Sequence, residues 1–369
     1  MRAEQPTSGG PAASCYERYG CELNRLSIDE LFQRYMQTGF LYRDKLQRLA
    51  PFTDEILDNW RRAAASPDGL LRVVTFSGER ERSWASLATW RHTESGWCTQ
   101  HLVSRGDPLA TRAVMLAEQE AMIEDSTHLS NQNWFRPENR MPQRVFGAII
   151  PRLGVESACA TRLAMFEVPR RLGRGSPGLQ VVPVEASTQA DLVALAVAAR
   201  GPAYAAAEGL ADADLSLAGV DRLYRKVGLS RYRRAWLVRD GAVAVAALVA
   251  YRGPLGLNYS FVENRADLLA SSACSPAQVV SAATALLDAA AATYEDFRPD
   301  LIPLFADERS TAALAGAGWQ PIRAYCQTVW LRTGYARYQT HLHATFARVV
   351  ERAERTRRRR QEAGPLEVR

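Results

Sequence analysis

The chain has 369 residues, 47% hydrophobic and 23% charged, a balance typical of a soluble globular protein and long enough for two or three domains. No window approaches the roughly 20 uninterrupted apolar residues that span a bilayer, so no membrane partner is expected. The net charge is +6, and the six cysteines are scattered without a CxxC pair, which argues against a metal knuckle or disulfide framework.

Residues 1–21 include "MRAEQPTSGGPAAS", which has no apolar core before a cleavage site. They read as a disordered leader rather than a signal peptide, and a cytoplasmic location is the default expectation. Two capped helices follow, "SIDELFQRYM" and "FTDEILDNWRRAAAS". Three antiparallel strands come next, over 70–77, 83–92 and 96–104, then a long helix over 108–125. A strand-like "HLSNQNWF", a helix-like "PQRVFGAIIPRLG" and a strand "CATRLAMFEV" complete a unit spanning 22–168. The Gly/Pro/Arg-rich stretch 169–178 reads as a linker.

The second unit, 179–333, opens with the strand "LQVVPV" and a helix over 187–200. After a short helix over 220–229, Asp240-Gly241 sits between two β-rich runs, the strongest hairpin signal in the chain. "LGLNYSFVEN" (255–264) is expected to be the next strand. A long helix over 275–297 follows, with Ser275 as cap and Pro276 in its first turn. "LIPLFAD", "ERSTAALAGAG" and "YCQTVWL" close the unit as strand, helix and strand. Residues 334–369 form a basic C-terminal helix or tail. Its segment 351–362 holds six Arg against three Glu, and a solvated helix end is preferred there to a nucleic-acid contact, because no aromatic residues interleave.

The two units share one element order, and both late helices stop at a glycine, Gly154 and Gly318. The run "AALAGAGWQP" resembles the late helix of the GNAT (general N-acetyltransferase) family, with Trp319 in the aromatic position after the glycine. The resemblance implies an α/β (α+β) fold of two tandem GNAT-like units. Each would be a mixed, largely antiparallel sheet flanked by helices, with a C-terminal helix added. It further implies acyl-CoA as cosubstrate, bound by a glycine-rich loop at the N-terminus of a unit's long helix; no metal is expected, from the scattered cysteines. In the second unit that loop is "ENRADLLASSACSPAQVV", without glycine, where Ser275 remains as a candidate contact. In the first it is "HLVSRGDPLATRAVML", which offers Arg105 and Gly106.

Glu263 and Tyr259 fall where the fold places its reactive centre, as candidate base and acid. The bland alternative is a core tyrosine and a solvated glutamate. His101 occupies the matching strand of the first unit, as a second candidate base or a half-buried strand residue. Strand alternation puts Cys98 on the face opposite His101. "NQNWFRPENRMPQR" supplies Trp134, Arg136 and Arg140 as candidate ligand-binding residues. Trp84, Trp90 and Trp97 look exposed, fit to pack between the units or to line an acceptor pocket.

The leading reading is an N-acyltransferase moving an acyl group from acyl-CoA to the amine of a small molecule or peptide. One alternative is a non-catalytic tandem protein that binds a nucleotide-type ligand such as a cyclic dinucleotide, or a protein partner. Another is an aminoacyl-tRNA-dependent transferase, with the basic tail on RNA.

Overall fold

In the computed structural model, residues 13–78, 83–170 and 179–362 are described. The chain opens with α1 (Ala13–Glu17) and β1 (Cys21–Leu23), then α2 (Ile28–Gln37), α3 (Arg43–Leu49) and α4 (Thr53–Ala64). Strands β2 (Leu71–Ser77), β3 (Trp84–Arg91) and β4 (Gly96–Arg105) lead into helix α5 (Pro108–Glu124). Strand β5 (Ser130–Phe135), short helices α6 (Arg140–Pro142) and α7 (Ile150–Leu153), and β6 (Ala158–Pro169) end the first half. The second half runs β7 (Gln180–Pro183), α8 (Gln189–Arg200), α9 (Pro202–Ala207), α10 (Ala218–Arg225), β8 (Tyr232–Asp240), β9 (Val243–Arg252) and β10 (Ala266–Ala270). It closes with α11 (Pro276–Ala290), β11 (Leu301–Asp307), α12 (Glu308–Gly316), β12 (Arg323–Leu331) and α13 (Tyr335–Glu362).

Local signals set many of these boundaries. Asp107 and Ser275 cap α5 and α11 by accepting backbone N–H bonds, and Pro108 and Pro276 open the two helices. Gly318, at φ +92°, reverses the chain after α12, and the half-buried Trp319 then meets Phe166 edge-on at 6.4 Å. The Asp240-Gly241 hairpin forms as expected between β8 and β9.

Two expectations are corrected. Residues 13–21 of the leader are folded: Cys15 and Tyr16 are buried, the Tyr16 hydroxyl donates to Glu118 at 3.1 Å, and Cys21 pairs with Phe76. Residues 1–12, and linker residues 171–178, lie outside the described residues. The stretch 255–264 is not a strand; β10 begins only at Ala266. Turn chemistry overrides its apolar pattern: Gly256 and Phe261 take positive φ, and Asn258 accepts from Ser260 N. The loop docks on α4, where Asn59 and Trp60 donate to the carbonyls of Leu255 and Gly256.

The strands form one twelve-stranded sheet, ordered β1-β2-β3-β4-β5-β12-β6-β11-β10-β9-β8-β7. Only β4 with β5 and β10 with β11 pair in parallel. The halves exchange their last strands: β12 inserts beside β5, while β6 lies between β12 and β11. On one face, a core including Trp60, Trp90, Leu248, Leu286 and Phe305 is shared by both halves. On the other, α5 packs with α1 and α13 around Leu116, Phe146 and Tyr338. A third core joins α8 and α9 to the second half's strands.

Strand exchange has a testable consequence. Residues 1–174 alone would leave β6 without either neighbour and β5 with a bare edge. Each half expressed singly is expected to aggregate, and co-expression to restore a soluble complex on size-exclusion chromatography. A monomeric, cooperatively melting single half would show that the exchanged strands are dispensable.

Candidate active site

Strands β4 and β5 pair only from Gly96↔Ser130 to Cys98↔Gln132, then splay apart. Each remains held on its other side, β4 by β3 and β5 by β12, so the gap has rigid walls. A cavity of about 340 Å³ occupies the gap, walled by Gln100–Leu102 on one side and Asn133–Arg136 on the other. Its ends belong to opposite faces of the sheet, with Tyr259 and Phe40 at one and Phe146 at the other. Backbone groups freed where parallel pairing stops must find partners elsewhere, which suits such a gap to an extended amide-bearing ligand.

A bulge in β4 shapes the centre. The β3–β4 register shifts by one residue between Ser86↔Val103 and Ala88↔Gln100, and His101 takes φ +54°. Its imidazole stacks on Tyr259 (4.4 Å, 9°) and lies parallel to Trp60 (5.3 Å, 5°), whose ring is 5.7 Å from that of Tyr259. Burial and the nearby Lys45 hold its pKa well below 6.5, so the ring is neutral at physiological pH. His101 Nδ1, Gln100 Nε2 and Asn133 Oδ1 are buried without a hydrogen-bond partner. The bulge also corrects the alternation argument, because the rings around His101 belong to the same core as Cys98. Burial drives the Cys98 thiol far above its ordinary pKa.

The structure thus brings together four residues singled out from the sequence: His101, Tyr259, Trp134 and Arg136 all line the cavity. Tyr259 arrives from the other half of the chain, and burial raises its pKa so that the hydroxyl keeps its proton. Arg140 is exposed at the start of α6 and does not line the cavity, so the Arg-x-x-x-Arg spacing does not converge on one ligand. Arg105 and Gly106 sit exposed where β4 meets α5, beside the Asp107 carboxylate that caps the helix. Ser275 is engaged in a reciprocal capping box with Gln278. The loop before it is pinned by Arg309, which donates to the carbonyls of Ser271 and Cys274.

Glu263 lies elsewhere, neither solvated nor facing the cavity. It is 1% exposed and paired with the buried Arg231. Burial pushes its carboxyl pKa up, but the Arg231 guanidinium outweighs that and holds it well below the usual range. The pair belongs to a buried network at the junction of the halves. Glu208 accepts from His92 Nε2 (2.8 Å), Arg265 (2.6 Å) and Tyr251 Oη (2.9 Å). Asp267 accepts from Arg265, Arg200 and Tyr204. Arg231 also donates to His92 Nδ1, and a guanidinium only donates, so His92 carries its proton on Nε2. The tryptophans that looked exposed are buried: Trp97 between Arg72 and His128, Trp90 and Trp84 in the shared core.

Sequence reasoning missed Lys45, Phe40, Tyr42 and Trp60, which reach the cavity or its histidine from α4 and the segment around α3. No local pattern marks them, since amphipathic helices place such residues on a buried face as a matter of course. All six cysteines are unpaired, and among the described residues no group of His, Cys, Asp and Glu is arranged to hold a metal ion. Among them no helix is long and apolar enough to cross a membrane. Segment 351–362 is helical, within α13, where Arg355 pairs with Glu351 one turn earlier.

No protein-family model and no curated protein matches the chain. Among solved structures it is similar to a tandem GNAT protein from the clavulanic acid biosynthesis pathway, with 12% identity over 85% of this chain and 98% of that one, at a TM-score of 0.38. It is also similar to a GCN5-related N-acetyltransferase from Sphaerobacter thermophilus (12% identity, 76% and 85% covered, TM-score 0.38). A GNAT-family acetyltransferase from Colwellia psychrerythraea is a third (14%, 77% and 97%, 0.34). Scores of that size carry no argument about activity.

Proposed function

We propose that the chain is a GNAT-type N-acyltransferase whose chemistry resides in the first half, with acyl-CoA as donor and a small-molecule or peptide amine as acceptor. The observation that carries this reading is the cavity between the splayed β4 and β5, with a neutral, partnerless histidine at its centre. The donor's pantetheine arm would run along the freed backbone of Gln100–Leu102 and Asn133–Arg136, placing the thioester beside His101. The acceptor reacts as the neutral amine: its nitrogen attacks the acyl carbon, and His101 takes the proton that this nitrogen sheds as it becomes an amide. The C–N bond forms, the C–S bond breaks, and the departing thiolate takes the proton of the Tyr259 hydroxyl. The proton on His101 then returns through solvent to the tyrosinate.

The second half supports rather than reacts in this reading. The N-terminus of α11 spends its first N–H groups on its own capping box, and Pro276 removes another. That half contributes Tyr259 and the exchanged strand β12 that braces β5.

Thermal denaturation with millimolar acetyl-CoA, longer acyl-CoAs and a cyclic dinucleotide tests the reading. A ligand at a hundred times its Kd adds about 2.7 kcal/mol to the folded state. At least one acyl-CoA should raise the Tm and release free thiol when an amine is supplied, while the cyclic dinucleotide leaves the Tm unchanged. Absence of both effects with every acyl-CoA would sink the proposal. With the acceptor's own ammonium titration divided out, the acid limb of kcat/KM should fall well below pH 6.5. A base of lowered pKa stays unprotonated until the pH drops through that lowered value, so a remaining limb at or above 6.5 would exclude His101 as the base.

A further inference from the structure

We propose that the mouth of this cavity is a carboxylate subsite, so that the acceptor is an amino-acid-sized amine carrying a carboxylate. The inference rests on the acyltransferase reading for the word acceptor, and on the structure alone for the anion. Lys45, on α3, makes no ion pair among the described residues; its Nζ lies 4.3 Å from the Phe40 ring centre and 5.4 Å from that of Tyr42. Arg136, immediately after β5, reaches the Tyr42 hydroxyl rather than a carboxylate. Arg323, on β12, lies near enough to act on Lys45 and approaches the Tyr325 hydroxyl at 3.5 Å.

The nearby charges do not balance. Glu167 of β6 pairs with Arg48, one helical turn beyond Lys45, and Asp44 beside Lys45 is exposed. His101 of β4 is neutral, and Tyr259 keeps its proton. Burial, then Arg136 and Arg323, bring Lys45 down to about 8, as expected of a desolvated cation without a counter-charge. An anion bound here would relieve that cost.

Position separates this mouth from the donor's phosphates. Lys45 and Phe40 pack on the face bearing α2 and α4, whereas α5, whose N-terminus would receive a pyrophosphate, packs on the other. Phe40 spans the space between the cation and the base, its ring centre 5.4 Å from that of His101. A molecule of amino-acid size therefore reaches both with its carboxylate and its amine.

Benzoate and benzamide, each titrated with and without acetyl-CoA, test the subsite. Benzoate should raise the Tm at millimolar concentration and benzamide should not. Lys45→Met should weaken benzoate at least about tenfold, from the loss of a charged hydrogen bond, and leave the acetyl-CoA Kd unchanged. Wild-type affinity for benzoate should fall as pH rises through about 8, where Lys45 loses its proton, and Lys45→Arg should remove that dependence. Equal binding of benzoate and benzamide would overturn the proposal. So would benzoate binding that ignores both Lys45→Met and Arg136→Gln, or a Lys45→Met defect confined to acetyl-CoA. Lys45-dependent benzoate binding without affinity for any acyl-CoA would retain the subsite and remove the acyltransferase reading.

Discussion

Replacing His101 with asparagine should lower kcat by about 10²- to 10⁴-fold, the usual worth of a positioned general base. Asparagine is the informative substitute because it tolerates the positive φ at this bulge better than most residues, so the backbone of β4 is kept. Removing the imidazole breaks its stacks with Trp60 and Tyr259, a loss of about 1–3 kcal/mol in stability. The folded variant should therefore melt lower and still bind acyl-CoA with little change in Kd. Single-turnover release of thiol under saturating acyl-CoA separates the two effects. If the variant turns over at the wild-type rate, the base lies elsewhere. Tyr259→Phe keeps the stack and removes only the hydroxyl; a slower departure of the thiolate, roughly tenfold, is expected from it.

Glu263→Ala should destabilise the protein by about 3–5 kcal/mol, because it leaves Arg231 buried without its partner carboxylate. This is the opposite of what a catalytic base at position 263 would show, namely intact folding with lost turnover. Glu263→Gln, closer in shape, should melt earlier while its folded fraction retains the wild-type pH profile of kcat. The folded-state pKa of Glu263 is held below its unfolded value near 4.3. Its stabilising contribution is thus present above that value and lost as pH falls through it toward the folded pKa. Urea titrations from pH 6 to pH 3 should show a shallower loss of stability in Glu263→Gln than in the wild type. Parallel curves would mean that Arg231 holds no ionised carboxylate there.

Local chemistry was legible wherever a residue type has one dominant reason to stand where it does. Ser275-Pro276 opened a helix, Asp240-Gly241 made a hairpin, and Gly318 ended α12, each because its backbone or side chain satisfies a short-range requirement. The misread stretch 255–264 shows the limit. Its alternating apolar residues resemble a strand, but they are apolar because the loop is buried against α4, and Gly256 approaches Ile56 too closely for any larger residue. Glu263 was misplaced for the same reason. Arg231 neutralises it from a distant position, and no pattern within its own segment announces that partner.

The sequence by itself determined the long helices and most strands of each half, several caps and turns, and the candidacy of His101, Tyr259, Trp134 and Arg136. Tertiary structure alone decided that these four meet, that the last strands cross between halves, and that Lys45 stands beside them without a counter-ion among the described residues. Periodicity and capping act within a few residues along the chain. A cavity between splayed strands, and the charge balance at its mouth, depend on segments as far apart as Gly39 and Tyr325 that only a finished sheet brings together.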